Sequence, residues 1–129
     1  MQRTEEREQA RLIKWTHKVG VRSLMPQLRW LHHSPNGGKR DAITGGQMKA
    51  LGVKPGFPDL ILPVRTLLSN GCAIEMKSDT GRPTPEQTQW LEHLSTQGYE
   101  VHLVRSAEEG RQILCDYLGQ DYTQAPALE

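Results

Sequence analysis

Three residues carry the chemistry that this chain is equipped to do: Asp59, Glu75 and Lys77. Glu75 follows Asp59 by sixteen residues, and Lys77 follows Glu75 by two. Asp59 leads into Leu60-Ile61-Leu62, while Glu75 and Lys77 interleave with Ala73, Ile74 and Met76. Each stretch reads as a short buried strand. Positions i and i+2 of a strand share a face, so Glu75 and Lys77 point the same way. Charges inside such strands are costly unless they pair with one another or bind a metal. Two carboxylates supply the hard oxygen ligands that a divalent cation takes. The cation would activate a water and neutralise charge on a phosphate, and an adjacent ammonium would orient that water or meet the developing negative charge. This is the equipment for cutting a phosphodiester. An E-x-K pair is also the common form of an exposed cross-strand salt bridge, so the surroundings must decide.

The chain has 129 residues, a size that suits one domain, expected here over 1–129 with its core at about 5–118 and a polar tail at 119–129. Lys and Arg total 16 against 15 acids, a net charge of +1. Bulk attraction to nucleic acid is therefore not expected, and any such surface must be a local cluster of cations. The apolar runs are too short for a membrane helix, and the opening Met1-Gln2-Arg3-Thr4-Glu5-Glu6 is too polar and acidic for a signal peptide. The cysteines, Cys72 and Cys115, sit in apolar contexts without C-x-x-C spacing. They read as reduced core residues of a cytoplasmic protein. A zinc site is not expected, because no Cys or His lies near enough in sequence to suggest partners for the adjacent His32 and His33.

The elements that must position the three residues follow in order. Residues 4–19 read as a helix with Leu12, Ile13, Trp15, Thr16 and Val19 as its apolar stripe and Gly20 as its stop. Glu8, Glu5 and Gln9 lie near that stripe, where a carboxylate or amide can reach inward; the alternative is a solvated first turn favoured by the helix dipole. Residues 24–33 read as a loop entering a short strand. Asn36-Gly37-Gly38-Lys39-Arg40 reads as a turn whose amides and two cations suit a phosphate contact; the alternative, commoner for such a segment alone, is a solvated turn with basic residues. A weak helix spans Asp41–Leu51, and the Pro/Gly-rich 53–58 leads to the Asp59 strand. Asn70-Gly71 reads as the turn that makes the two acidic strands antiparallel neighbours. Thr84-Pro85-Glu86-Gln87 opens a helix, with Thr84 as its cap. Gln87 lies on the inward side; it either closes the capping box, reaches the site, or does both. A strand at Tyr99–Val104 and a final helix capped by Ser106, with Glu109 completing the box, precede a frayed tail. The whole reads as an α/β protein with one central mixed β-sheet flanked by helices.

In this order the pieces resemble the VRR-NUC domains, the virus-type replication-repair nucleases of the PD-(D/E)xK superfamily, in their compact stand-alone phage and prophage form. The resemblance rests on Pro35-Asn36-Gly37-Gly38-Lys39-Arg40, Leu51 through Leu60, Ile74-Glu75-Met76-Lys77, Pro85-Glu86-Gln87 and Gly98-Tyr99. It implies a restriction-endonuclease-like fold and a nuclease dependent on Mg²⁺ or Mn²⁺. It implies metal ligation by Asp59, Glu75 and the backbone carbonyl of Met76, with Lys77 acting on the water and Gln87 as an accessory residue. It also implies an acidic or amide residue from the first helix, here Glu8, with Gln9 and Glu5 as the alternatives. Stand-alone members are similar to Holliday junction resolvases in acting as homodimers on branched DNA.

The leading expectation is a structure-directed DNA endonuclease whose affinity rests on Lys39, Arg40, Lys54 and Arg82 and falls with salt. The competing readings are an inactive DNA-binding or assembly module of the same fold and a sequence-specific restriction-type nuclease. The intact D…ExK set argues against the first, and the lack of a separate recognition domain ranks the second lower.

Overall fold

The computed structural model describes residues 4–35 and 42–129. The glycine turn Asn36–Arg40 and Asp41 lie outside these residues. The first helix is shorter than its pattern and is followed by a second: α1 is Glu5–Thr16 and α2 is Val19–Leu24. Thr4 caps α1 by accepting a hydrogen bond from Arg7 N. A 3-10 turn, Pro26–Trp30, then delivers the two-residue strand β1, His32–His33. α3 is Ala42–Ala50, β2 is Leu60–Leu62, β3 is Gly71–Met76, α4 is Pro85–Thr96, β4 is Tyr99–Val104 and α5 is Ala107–Tyr117.

The strands form one mixed sheet in the order β1-β2-β3-β4. β1 and β3 run antiparallel to β2, and β4 runs parallel to β3 after the α4 crossover. Leu60 pairs with Ile74 and Leu62 with Cys72, so continuing that register outward sets Asp59 beside Glu75. One face of the sheet carries Leu60, Leu62, Cys72, Ile74, Met76 and Val104, all buried against Leu12, Trp15, Leu114 and Tyr117 of α1 and α5. α4 packs on β3 and β4. β2, which Asp59 precedes by one residue, and β3, which holds Glu75, are the central strands.

Gly110 lets α5 approach α1 closely: a Cβ there would lie 2.6 Å from Leu12 Cδ2. Gly56, at φ +87°, does the same for the lead into β2, where a Cβ would lie 2.6 Å from the Glu86 carbonyl carbon. That close approach seats the lead against the start of α4. Trp90 Nε1 fastens it by donating to Pro55 O at 3.1 Å, and Phe57 meets the Trp90 ring edge-on at 4.9 Å.

Two local expectations are corrected. The β2–β3 connection turns at Thr66–Ser69, where Thr66 N donates to Ser69 O and Thr66 Oγ1 accepts from Leu68 N and Ser69 N. Asn70 is taken up elsewhere, its backbone N–H on Gly98 O and its side-chain amide on Gln97 O. The tail is not frayed. Ala125 and Leu128 pack against the core. Trp15 Nε1 donates to Pro126 O at 2.8 Å, and Arg11 pairs with Glu129 at 2.7 Å.

Candidate active site

Glu75 projects from the middle of the sheet and is 2% exposed. Its Oε2 accepts from Gln87 Nε2 at 3.1 Å and lies 3.7 Å from Lys77 Nζ. Lys77, one residue past β3, is itself buried, and its backbone N–H extends the β3–β4 ladder by donating to Val104 O. Gln87 does both things open to it. Its Oε1 accepts from Thr84 N and its backbone N–H donates to Thr84 Oγ1, closing the capping box. The remaining amide hydrogens reach Glu75. Asp59, half-buried, is held from two sides: its Oδ2 accepts from Met76 N at 2.8 Å, and its backbone carbonyl accepts from Ser34 N at 3.0 Å.

Glu75 Oε1 is enclosed and has no hydrogen-bond partner among the described residues. Burial pushes the Glu75 carboxyl up to about 9; the Asp59 carboxylate beside it pushes the same way, Lys77 opposes them, and Glu5 adds to the rise. A carboxylate oxygen buried without a donor, among further carboxylates, is the setting that a bound cation resolves. The donors are hard oxygens, which suits Mg²⁺ or Mn²⁺. The site opens into a cleft of about 720 Å³ lined on one side by Asp59, Glu75 and Gln87 and on the other by Glu5, Gln9 and Lys14 of α1.

The structure does not bring Glu8 to this cleft. Glu8 is buried, as its place on the apolar stripe demands, but against the start of α5. There its Oε1 accepts from Ala107 N at 2.9 Å and both oxygens bond Arg11 at 3.2 and 3.1 Å. It caps α5 from another helix. Glu5 and Gln9, which do line the cleft, lie roughly 60° and 100° round the helix from it, to the same side.

The sequence left His33 without a role. Its Nδ1 lies 2.8 Å from Asp59 O and 3.0 Å from the Gln9 amide. A carbonyl can only accept, so Nδ1 donates to Asp59 O, with the Gln9 amide alongside. The signal for this was the β1–β2 pairing of His33 with Leu60, one residue from Asp59. Lys14 was also missed, because it reads as a solvated position between Ile13 and Trp15. Of the expected nucleic-acid contacts, Lys54 borders a hollow with Phe57 and Trp90. Arg82 borders another with Arg105, which ties down its loop by donating to Ser78 O and Gly81 O at 2.7 Å. Among the described residues no helix is long and apolar enough to cross a membrane.

The likeness to known proteins agrees with this geometry. A solved structure of a VRR-NUC domain protein, 27% identical, superposes with a TM-score of 0.74 over 92% of this chain and 91% of that one. No curated protein matches the sequence. The model of the VRR-NUC domain matches residues 3–108, a span that takes in the Asp59–Glu75–Lys77 cluster, Gln87 and the whole sheet. By that match the chain belongs to the VRR-NUC family and has a nuclease-type fold.

Proposed function

We propose that the chain is a metal-dependent, structure-directed endodeoxyribonuclease that hydrolyses phosphodiester bonds in branched DNA such as four-way junctions. The observation that carries the reading is Glu75, a buried carboxylate with one unpartnered oxygen, gathered with Asp59, Lys77 and Gln87 at the foot of an open cleft. Asp59, Glu75 and the Met76 carbonyl would hold Mg²⁺ or Mn²⁺, with Glu5 taking the first-helix role in place of Glu8. Once bound, the cation lowers the pKa of a water and neutralises charge on the scissile phosphate.

The chain's own residues do the rest. Gln87 fixes Glu75 Oε2, leaving Oε1 without a hydrogen-bond partner among the described residues. Met76 N and the Ser34 and His33 contacts hold Asp59 in place. Lys77 orients the attacking water or meets the charge developing on the phosphate. Lys14, Lys54 and Arg82, with Asn36, Gly37, Gly38, Lys39 and Arg40, contact the DNA backbone, so binding weakens with salt. The preference for branched DNA and the homodimer come from the family likeness; a two-fold pair would set two cuts on two strands. The setting is the cytoplasm of a bacterial host or phage-infected cell.

The test compares a four-way junction, a flap, a plain duplex and a single strand in Mg²⁺ and then Mn²⁺. Junction cutting that depends on the metal, and that falls by at least about a hundredfold in Lys77→Ala with junction binding kept, is expected. Undiminished cleavage by purified Lys77→Ala would remove that residue from the mechanism. Equal cutting of plain duplex would make the enzyme a general or sequence-specific nuclease.

A further inference from the structure

A second set of metal donors lies at the opposite end of the β3–β4 pair. Cys72 Sγ, a Glu100 carboxylate oxygen and a His102 ring nitrogen all lie within 4.8 Å of one another. The register accounts for the grouping. Cys72 stands directly across from Glu100, and His102, two residues further along β4, stands across from Ile74. Residues two apart on a strand share a face, so Glu100 and His102 project on the same side as Cys72. β4 is the outer strand of the sheet. The Glu100 and His102 side chains are accordingly 40% and 30% exposed, while Cys72 is 1% exposed. A sulfur donor thus sits at the floor, with a nitrogen and an oxygen donor at a solvent-facing rim.

We propose that Cys72, Glu100 and His102 form a binding site for a borderline-soft divalent cation, zinc foremost, with a fourth position open to solvent. Zinc takes thiolate, imidazole and carboxylate at about 2.0–2.3 Å, which sets tetrahedral donors roughly 3.3–3.8 Å apart. The rim donors are closer than this, with His102 Nε2 2.8 Å from Glu100 Oε2, and must part slightly to take an ion between them. Rotation of these two part-exposed side chains toward Cys72 completes the approach, and their mutual hydrogen bond is replaced by two bonds to the ion. Burial, reinforced by the Glu100 charge, pushes the Cys72 thiol up to about 12. The ion must therefore displace a proton, which selects thiophilic cations and rejects Mg²⁺.

The site is separate from the one under Proposed function and does not rest on it. Cys72 is three residues from Glu75 along β3, roughly 10 Å at strand rise, and its side chain leaves the sheet on the other face. A bound ion would tie the outer strand β4 to its neighbour.

The probe is Co²⁺ added to the metal-free full chain, in excess Mg²⁺ to occupy the hard-oxygen site, followed by displacement with Zn²⁺. The expected result is a sulfur-to-cobalt charge-transfer band that saturates at one equivalent and disappears on adding Zn²⁺. It should be absent in Cys72→Ser, require at least about tenfold more Co²⁺ in His102→Ala, and persist in Asp59→Asn. His102 is part-exposed, so its variant tests the site even if Cys72→Ser fails to fold, with circular dichroism reporting the fold of each. No sulfur band in the wild type overturns the proposal. So does a band kept by Cys72→Ser, which would point to Cys115, or one indifferent to His102→Ala, which would mark a lone thiol.

Discussion

Replacing Glu75 by Gln should make the metal-free protein more stable at neutral and alkaline pH while abolishing its response to metal. The sign follows from linkage. Glu75 is raised from an ordinary value of 4.5 to about 9 in the fold, by burial first and by Asp59 second. Below both values the carboxyl is protonated in the folded and the unfolded chain, and the contribution is fully present. Between them the unfolded chain gives up a proton that the folded chain keeps. Stability then falls as pH rises, by about 1.4 kcal/mol per unit until the folded value is passed. Between about pH 5 and about pH 8 that is a loss of ~4 kcal/mol, reduced to ~2–3 kcal/mol once Asp59, Lys77 and local water relax around the charge. The amide introduced by Glu75→Gln has no such proton, and its carbonyl still accepts from Gln87. Urea melts followed by tryptophan fluorescence in EDTA should therefore show the variant gaining ~2–3 kcal/mol on the wild type across that range. In Mn²⁺ the wild type should regain stability and the variant should not, because a ligand that binds only the native state stabilises it by mass action. Parallel stability curves for the two proteins in EDTA would refute the reasoning. They would mean that Glu75 is ionised and satisfied without metal, and that its unpartnered oxygen is no sign of a cation site.

Glu8→Ala and Glu5→Ala should separate a structural carboxylate from a ligand. Glu8→Ala leaves Ala107 N uncapped and Arg11 without its buried partner, which should cost about 2–3 kcal/mol in chemical denaturation with Mn²⁺ affinity unchanged. Glu5→Ala should leave stability within about 0.5 kcal/mol and weaken Mn²⁺ binding by about tenfold in calorimetry; the reverse pattern would restore Glu8 to the site. Deleting residues 122–129 strips the partner from the fully buried Trp15 indole and the cover from the core beside it. The truncated chain should lose at least about 2 kcal/mol and show a red-shifted tryptophan emission; an unchanged melt would mean that the tail only rests on the surface.

What could be read from the chain depended on how far each signal reached. The spacing of Glu75 and Lys77, and the capping box that also sends Gln87 to Glu75, are local: two residues on a strand and one helical turn decide them. The antiparallel pairing of β2 with β3 was also legible, although the turn residue was not. Asn70-Gly71 carries the stronger turn signature, yet Asn70 is spent on Gln97 and Gly98, contacts made only after α4 returns the chain. Glu8 shows the limit of periodicity in the other direction. The apolar stripe of α1 placed it inward, and it is buried, but a stripe does not say what it is buried against. The start of α5 lies there, 99 residues on. Composition misjudged the tail because polar and Pro-containing residues bury little of themselves. Here the backbone carbonyls of Pro126 and Ala127 do the docking, and every residue type has one.

Cys72 and His102 follow the same logic and explain why no zinc ligation was expected. Ligand motifs are recognisable in sequence when the loop between donors is short, because proximity in the chain then stands in for proximity in space. A parallel pair cannot be joined that way: its crossover needs a helix, here α4, so donors that end up on neighbouring strands are separated by a whole element. The same α4 also delivers Gln87 to Glu75 on the other face. One crossover thus serves two constellations, hard oxygens at one end of the β3–β4 pair and sulfur with nitrogen at the other. Their chemical difference would let Mg²⁺ fill the first without competing for the second.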